Sequence, residues 1–150
     1  MDKIVWQNAP IYTPKRHGFV YEIKELDTGK IYIGCKKFWT KFKRPPLKGK
    51  KNKRHDIKES DWRDYNSSSP IMQEKIKANP SNYTKQILHI CDSQTEMKCK
   101  EAWIQLDYFI SGNWDRLYNE VINLRVKTPK NDKDRISRMA EGSPSAMERQ

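Results

Sequence analysis

Two tyrosines and a glycine in the first third of the chain have types and a spacing suited to phosphate chemistry. Tyr21 and Tyr32 lie in two short apolar runs, the first of which alternates with the period of a half-buried strand. The turn residues Leu26 to Gly29 separate the runs, and a four-residue turn puts both phenols on one sheet face, one diagonal step apart. Gly34 then leaves that face open opposite Tyr21. Two phenols beside an uncovered backbone, followed at once by a basic run, suggest a surface that handles phosphate.

The bulk properties favour nucleic acid as the partner. The chain has 150 residues, enough for one domain with a modest core, and a formal charge of +11. No apolar run approaches a membrane span, and the N-terminus has no secretory pattern, so we expect a soluble cytoplasmic protein with no membrane partner. The three cysteines have no metal-ligand spacing and indicate neither a disulfide framework nor a zinc site.

A basic stretch without acidic residues runs from Cys35 to Arg54. It is either a solvated charged loop or a nucleic-acid-binding surface, and its interleaved aromatic residues favour the second. Pro45-Pro46 stops any helix there. Most contacts of such a loop would go to phosphates. The nucleic-acid contacts that we expect come from Lys36, Lys37, Lys43, Lys48, Lys50, Lys51, Lys53, Arg54 and the later Arg63.

Local signals predict the remaining elements. Ser69 as N-cap predicts a short helix over Pro70 to Ala78, and the run from Tyr83 to Cys91 predicts a third strand. A capping box at Ser93 opens the longest helix, roughly Gln94 to Ile110. The principal apolar stripe predicted for that helix consists of Cys99, Ala102, Trp103, Leu106 and Ile110.

A second row of the long helix carries Glu101 among Met97, Ile104 and Tyr108. An ionised carboxylate on such a row is unusual unless something pairs with it. The partner is either a neighbouring lysine or arginine, or a metal ion or polar active-site cluster. The residues alone leave both alternatives open.

The order of these pieces resembles that of the GIY-YIG nucleases. Phe19-Val20-Tyr21 stands for the first triplet of that family, and Tyr32-Ile33-Gly34 matches the second. Glu101 corresponds to the family's helical carboxylate and Asn119 to the asparagine beyond it. The resemblance covers Gly18 to Leu124 and is greatest to the variants of bacteriophages and mobile elements. It implies an α+β fold with a small three-stranded antiparallel sheet flanked by helices, spanning 1–126 with a basic insertion at 36–58, before a flexible polar tail at 127–150.

The resemblance also implies metal-dependent hydrolysis of DNA phosphodiester bonds by an endonuclease of homing, restriction or phage type. Glu101 would hold a single Mg²⁺ or Mn²⁺ ion. Tyr21 and Tyr32 would orient the attacking water, one of them accepting its proton. Asn119 would fix a tyrosine or the Glu101 side chain. We expect double-stranded DNA as the substrate, a homodimer or sequential nicks for a double-strand cut, and a phage-encoded protein in a bacterial host.

The family's arginine, shortly after the second triplet, has no counterpart at its place. Lys41 is nearest by spacing and Arg44 lies three residues on, and either would clamp the scissile phosphate. Lysine lacks the bidentate fork of arginine. Arg54, Arg63 or His55 could instead fold back into the site. The missing arginine also supports an alternative function, a basic nucleic-acid-binding module that keeps the fold without catalytic turnover.

Overall fold

A computed structural model describes residues 3–122 of the chain. The helices are α1 at Pro70–Ala78 and α2 at Gln94–Ile110, and short 3₁₀ turns lie at Pro80–Asn82 and Trp114–Arg116. The strands are β1 at Trp6–Gln7, β2 at Gly18–Glu25, β3 at Ile31–Lys37, β4 at Trp39–Arg44, β5 at Arg54–Glu59 and β6 at Tyr83–Cys91. The predicted tail at 127–150 and the predicted domain end at 126 lie outside the described residues.

The α+β fold is confirmed, and the three predicted antiparallel strands are adjacent in the main sheet, with β3 at its edge. β2 lies between β3 and β6 and is antiparallel to both. A fourth strand, the two-residue β1, extends the sheet in parallel with β6, which gives the order β1-β6-β2-β3. Two residues are too few to show an alternation, so the sequence pattern did not reveal β1.

The register of the β2–β3 hairpin is the predicted one. Tyr21 lies opposite Gly34, and Ile23 lies opposite Tyr32. The Glu25 amide donates to the Lys30 carbonyl at 2.8 Å, which closes the four-residue turn. Because side chains alternate along a strand, this register puts both phenols on the same face of the sheet.

Each face of the sheet carries its own apolar core. On one face Met72 and Ile76 of α1 pack with Phe19, Tyr21 and the buried aromatic residues Trp6, Phe38, Trp62 and Tyr83. On the other face Met97 and Ile104 of α2 pack against Val20, Ile31, Ile33 and Cys91. The phenols therefore belong to the α1 side of the sheet.

The bounds and the N-cap of α2 are as predicted, but its predicted principal stripe is wrong. The Ser93 side chain accepts a hydrogen bond from the Glu96 amide at 3.1 Å. Trp103 and Ile110 remain 41% and 79% exposed, and the row with Met97 and Ile104 is buried instead. The prediction considered only the apolar residues of α2. It did not include the hydrogen bond that Gln105 donates to the Ile33 carbonyl of β3, which favours turning the Met97 row of α2 toward the sheet. The row that carries Glu101 consequently faces the sheet.

The expectation of a loop for the basic stretch is also wrong. β4 and β5 pair in antiparallel register and form a two-stranded sheet of their own, called here the ribbon. Pro45 and Pro46 follow the end of β4, where they exclude a helix as predicted but leave both strands intact. The Ser60 amide joins the base of the ribbon to the main sheet through the Phe38 carbonyl at 2.8 Å. Neither helix in the described part is long and apolar enough to cross a membrane.

Candidate active site

Three phenols converge on the α1 side of β3. The ring centroid of Tyr21 lies 6.3 Å from that of Tyr32 and 6.0 Å from that of Tyr65. The hydroxyl of Tyr32 shares a hydrogen bond of 3.2 Å with Ser68. Tyr65 and Ser68 belong to the segment before α1, which therefore closes over the two tyrosines of the hairpin. Sequence reasoning missed both, because their role depends on a fold-back that no local pattern encodes.

Position 34 has no room for a side chain, so it requires glycine. A Cβ atom there would lie 2.6 Å from Tyr21 Cζ and 3.1 Å from the Cε1 atom of Tyr32, and closer still to the Tyr21 hydroxyl. The Tyr21 ring thus lies directly over the bare backbone of β3. This is the close approach that the hairpin pattern predicted, although the ring itself fills much of the space.

The Tyr21 hydroxyl is buried and lacks a good hydrogen bond. Its ring is fully buried, and Oη has no hydrogen-bond partner of ordinary geometry among the described residues. Burial raises the pKa of Tyr21 well above its usual value, with smaller contributions from Tyr65 and Tyr32, while the nearby Ser67 hydroxyl opposes the rise. Tyr21 is therefore neutral at physiological pH and available as a donor.

A buried lysine on β6 holds the segment over the phenols. Lys85 Nζ donates to the Tyr65 carbonyl at 2.9 Å and to Asn66 Oδ1 at 3.0 Å, and it lies 4.4 Å from the Trp6 ring centroid. Burial lowers the pKa of Lys85 to about 8. Ser67, which follows Asn66 in the segment, is buried and has a φ of 98°, a backbone conformation that costs a non-glycine residue free energy. The alternation of Tyr83, Lys85 and Ile87 was the signal that could have identified an inward-facing lysine.

Lys36 shares the phenol face of β3. Because residues 32, 34 and 36 alternate to one side, its side chain points with Tyr32 over the sheet. Lys36 Nζ lies 4.1 Å from the Tyr65 ring centroid and 2.7 Å from Asp61 Oδ1, and the side chain is 19% exposed. The sequence placed Lys36 among the DNA contacts, and the alternation of β3 could have assigned it to the site.

The other predicted cations lie elsewhere. Lys41 and Arg44 are on β4, in the ribbon, where Arg44 pairs with Asp56 at 2.8 Å. Arg63 pairs with Glu59 at 3.6 Å and donates to the Ile11 carbonyl. Arg54 donates to the Pro45 carbonyl within the ribbon. The remaining predicted DNA contacts are exposed: Lys37, Lys43, Lys48, Lys50, Lys51 and Lys53.

Asn119 and Glu101 are both linked to Ile33 of β3, Asn119 directly and Glu101 through Gln105. Asn119 accepts from the Ile33 amide at 2.9 Å and donates to the Ile33 carbonyl at 2.8 Å, so it completes the unpaired edge of the sheet rather than fixing a tyrosine. Gln105 donates to the same carbonyl at 3.1 Å and to Glu101 Oε1 at 3.4 Å. Glu101 Oε2 lies 3.4 Å from Lys98 Nζ, which is the neighbouring-lysine partner that the sequence left open.

The phenols and Glu101 approach β3 from opposite sides. Tyr32 lies on the α1 side, whereas Glu101 contacts the α2 side, where Cys35 is held at a pKa of about 12 by burial and by this carboxylate. Asn119 and Tyr32 both line a cavity of about 420 Å³ beside the edge, together with Ser69 at the start of α1 and Glu120. The backbone of β3 lies between the phenols and Glu101, and the residues that line the cavity include Tyr32 but neither Tyr21 nor Glu101.

The comparison with family models identifies the class of protein. Residues 6–122 match the family described as "Putative endonuclease segE, GIY-YIG domain". Comparisons with curated proteins and with solved structures gave no significant match. The chain therefore belongs to the GIY-YIG nuclease family, a family of endonucleases that act on DNA and generally use a divalent metal ion.

The donor set at the β3 edge fits such an ion. Among residues 3–122, no group of three His, Cys, Asp or Glu side chains converges to enclose a metal. Glu101 offers one carboxylate with 20% of its side chain exposed, and it contacts Lys98 and Gln105 at 3.4 Å and the Cys35 thiol. Mg²⁺ is commonly bound by one or two carboxylates and keeps waters and phosphate oxygens as its other ligands. A single accessible carboxylate suits that ion.

Proposed function

We propose that this chain is a metal-dependent endonuclease that hydrolyses phosphodiester bonds of double-stranded DNA at the edge of β3. The observation that carries the proposal is the arrangement around one strand: Tyr21 and Tyr32 lie over Gly34 on one side, and Glu101 reaches the same strand from the other. The match to an endonuclease family supports the reaction class.

Glu101 is the residue that would hold the metal, for which we propose a single Mg²⁺ or Mn²⁺ ion. When bound, the ion would neutralise charge developing on the scissile phosphate and on the leaving oxygen. Gln105 orients the carboxylate through its contact with Oε1 and is itself fixed by the Ile33 carbonyl. Lys98 would share Oε2 in the free protein and turn to a phosphate oxygen once DNA is bound.

We assign to Tyr32 the role of orienting the attacking water. It is only partly buried, its hydroxyl is held by Ser68, and it lines the cavity at the strand edge. Tyr21 remains protonated because burial raises its pKa, so we assign it a donor role toward the water or the phosphate. A buried hydroxyl without a hydrogen bond of ordinary geometry is the kind of polar atom that is retained for a function.

We propose Lys36 as the cation that takes the place of the family's arginine. It lies on the phenol face, stacks on Tyr65 and is held by Asp61 at 2.7 Å. A lysine neutralises a phosphate as a point charge without a bidentate grip. The catalytic roles expected for Lys41 and Arg44 stay predictions, but both residues lie in the ribbon, where Arg44 pairs with Asp56 and Lys41 is exposed.

The start of α1 supports binding of the phosphate at the same cavity. Ser69 lines the cavity, and no side-chain hydrogen bond caps this helix. The first-turn amides of a helix attract anions, and Pro70 removes only one of them. A phosphate in the cavity would therefore lie between these amides and Tyr32.

The experiment that tests the function is the incubation of supercoiled plasmid with wild-type protein and with Glu101→Gln, with and without Mg²⁺. We expect nicking only by the wild type with the metal, a loss of at least about 10²-fold in the variant, and unchanged DNA binding. Equal loss of binding and cleavage would contradict the metal-holding role.

The same experiment separates the alternative function, a basic nucleic-acid-binding module without turnover. The contact between Glu101 and Lys98 favours that alternative, because it satisfies the carboxylate without a metal. Such a module would bind plasmid with a steep salt dependence. It would not cut the plasmid, whichever divalent ion is added. One site cuts one strand, so we further propose either a homodimer or sequential nicks for a double-strand cut. The homing, restriction or phage type, and a bacterial cytoplasm as the location, are part of this proposal.

A further inference from the structure

The two faces of the ribbon differ in how their charges are satisfied. Directly opposed residues share a face, so Lys41 with Ile57 and Lys43 with His55 lie on one side, called here the Lys41 face. The pair Trp39 with Glu59 lies on the same side, at the base of the ribbon. The opposite side, called the Phe42 face, carries Thr40 with Lys58, Phe42 with Asp56 and Arg44 with Arg54.

Cations on the Phe42 face have partners within the ribbon. Arg44 pairs with Asp56 at 2.8 Å, and its guanidinium lies 5.4 Å from the Phe42 ring centroid. Lys58 Nζ lies 5.5 Å from the same ring, and Arg54 donates to the Pro45 carbonyl. One of the three cations on this face is therefore paired with an acidic group, and the other two contact a ring or a carbonyl.

The Lys41 face is open. Within residues 3–122, the side chains of Lys41, Lys43 and His55 make no hydrogen bond or ion pair, and Ile57 between them is 59% exposed. A cavity of about 390 Å³ is lined by Lys41, His55, Asp56 and Ile57. Three hydrogen-bonding side chains thus surround an apolar centre.

The anchored end and the tip of the ribbon define its direction. Trp39 Nε1 donates to the Pro14 carbonyl at 2.9 Å, which fixes the base of β4 to the domain. Each strand has six residues, or a length of about 20 Å at the usual rise. The turn at 45–53 carries four lysines and no acidic residue. The ribbon is a cationic arm held firmly at one end.

We propose that the Lys41 face lies in the major groove of duplex DNA, with the lysine-rich turn on the phosphate backbone. The major groove, about 12 Å wide, admits a two-stranded β-ribbon. Lysine donors match the O6 and N7 acceptors of guanine, and an exposed isoleucine matches the thymine methyl group. Phosphate contact alone would give no role to Ile57. The major groove of duplex RNA is too narrow for such a ribbon, so the partner is DNA.

The test uses charge-matched variants and a labelled duplex of about 30 base pairs, at several salt concentrations. The double variant Lys41→Gln/Lys43→Gln removes two charges from the Lys41 face. The double variant Arg44→Gln/Lys58→Gln removes two charges from the Phe42 face. We expect the first pair to weaken binding about 10- to 100-fold and the second pair to change it less than threefold. Equal losses from the two pairs would overturn the assignment of the face.

A second arm uses the wild-type protein and altered duplexes, so it does not depend on the folding of a variant. Replacing guanine by 7-deazaguanine removes N7, and replacing thymine by uracil removes the methyl group. We expect each change to weaken binding of the wild-type protein several-fold. Unchanged binding to both duplexes, or equal binding to an RNA duplex, would overturn placement in the major groove.

This inference rests on the proposed action on DNA, but the two fail separately. Absence of cleavage with the face difference intact would contradict only the nuclease proposal. Intact cleavage with identical behaviour of the two variant pairs would contradict only the ribbon proposal.

Discussion

The phenol face of β3 and the ribbon hold their polar groups in opposite ways. On the phenol face, Lys36 is paired with Asp61, and Lys85 is buried with two hydrogen bonds. On the open face of the ribbon, Lys41 and Lys43 are exposed and make no such bonds within the described residues. Both regions are basic, but only the first is packed.

This difference matches two separate demands on a nuclease. Catalysis requires groups held to a fraction of an ångström, which packing and hydrogen bonds provide. Binding to a polyanion requires accessible charge and tolerates motion, because released counterions supply most of the affinity. Substitutions on the phenol face should therefore change kcat or folding, and those on the ribbon should change KM and its salt dependence. The following predictions test that division.

The largest effect is expected from Tyr32→Phe. The change removes the hydroxyl that Ser68 holds beside the cavity, and kcat should fall about 10²-fold or more with KM nearly unchanged. Steady-state nicking of a defined duplex measures both constants. Lys43→Gln on the ribbon is the contrasting variant, in which KM should rise and kcat remain. A rise in KM for Tyr32→Phe would remove the distinction between the two regions.

The second prediction concerns pH and Lys85. Its pKa is about 8 in the folded protein against the ordinary 10.5, so between those values the unfolded chain binds more protons. The burial cost is fully present below pH 8, and the free energy of unfolding should rise with pH through the window, by about 3 kcal/mol in total. Lys85→Met should lose this rise.

Urea unfolding of both proteins at pH 7.5 and pH 10 measures the difference. Lys43→Met is the matched control, since it removes an exposed lysine of the ribbon and should keep the wild-type rise. A parallel pH dependence in wild type and Lys85→Met would show that Lys85 is not the titrating group.

Local residue patterns were enough to predict the site's hairpin. Alternation around Tyr21, the turn at Leu26 to Gly29 and the open position of Gly34 fixed the register, because a one-residue slip would expose the core face. The bounds of α1, α2 and β6 followed from caps, prolines and periodicity. These signals are local, and the structure confirms the register and the bounds, although the Tyr21 ring covers the position of Gly34 that was expected to be open.

Features that depend on distant segments were not predictable. The ribbon needs β4 to pair with β5 across nine intervening residues, and lysine-rich strands give a weak alternation signal. Lys85 and Tyr65 meet only after the chain folds back over β2. The rotation of α2 depended on a hydrogen bond from Gln105 to Ile33, which a count of apolar residues ignores.

A smaller effect, on stability, is expected from Gly34→Ala. The new methyl group would overlap the Tyr21 ring, and overpacking of this kind costs about 1–3 kcal/mol. Gly49→Ala in the ribbon turn is the matched variant: its φ of +87° makes alanine strained, but nothing lies near the new atom. Thermal unfolding should rank Gly34→Ala as the less stable of the two. The additional substitution Tyr21→Leu should restore part of the loss only in the Gly34 variant.

The smallest effect, and the one opposite in sign, is expected from Tyr21→Phe. Removing a buried hydroxyl that lacks a good hydrogen bond relieves a desolvation cost, so the variant should be more stable by about 1 kcal/mol. Because we assign that hydroxyl a donor role toward water or phosphate, nicking should slow at the same time. A ribbon substitution such as Lys43→Gln should not raise stability while lowering kcat. Denaturant midpoints and kcat measured on one preparation test this prediction. If Tyr21→Phe neither gains stability nor loses turnover, the Tyr21 hydroxyl has no function and the ring is an ordinary core residue. If the variant loses both stability and turnover, the hydroxyl has a structural hydrogen-bond partner.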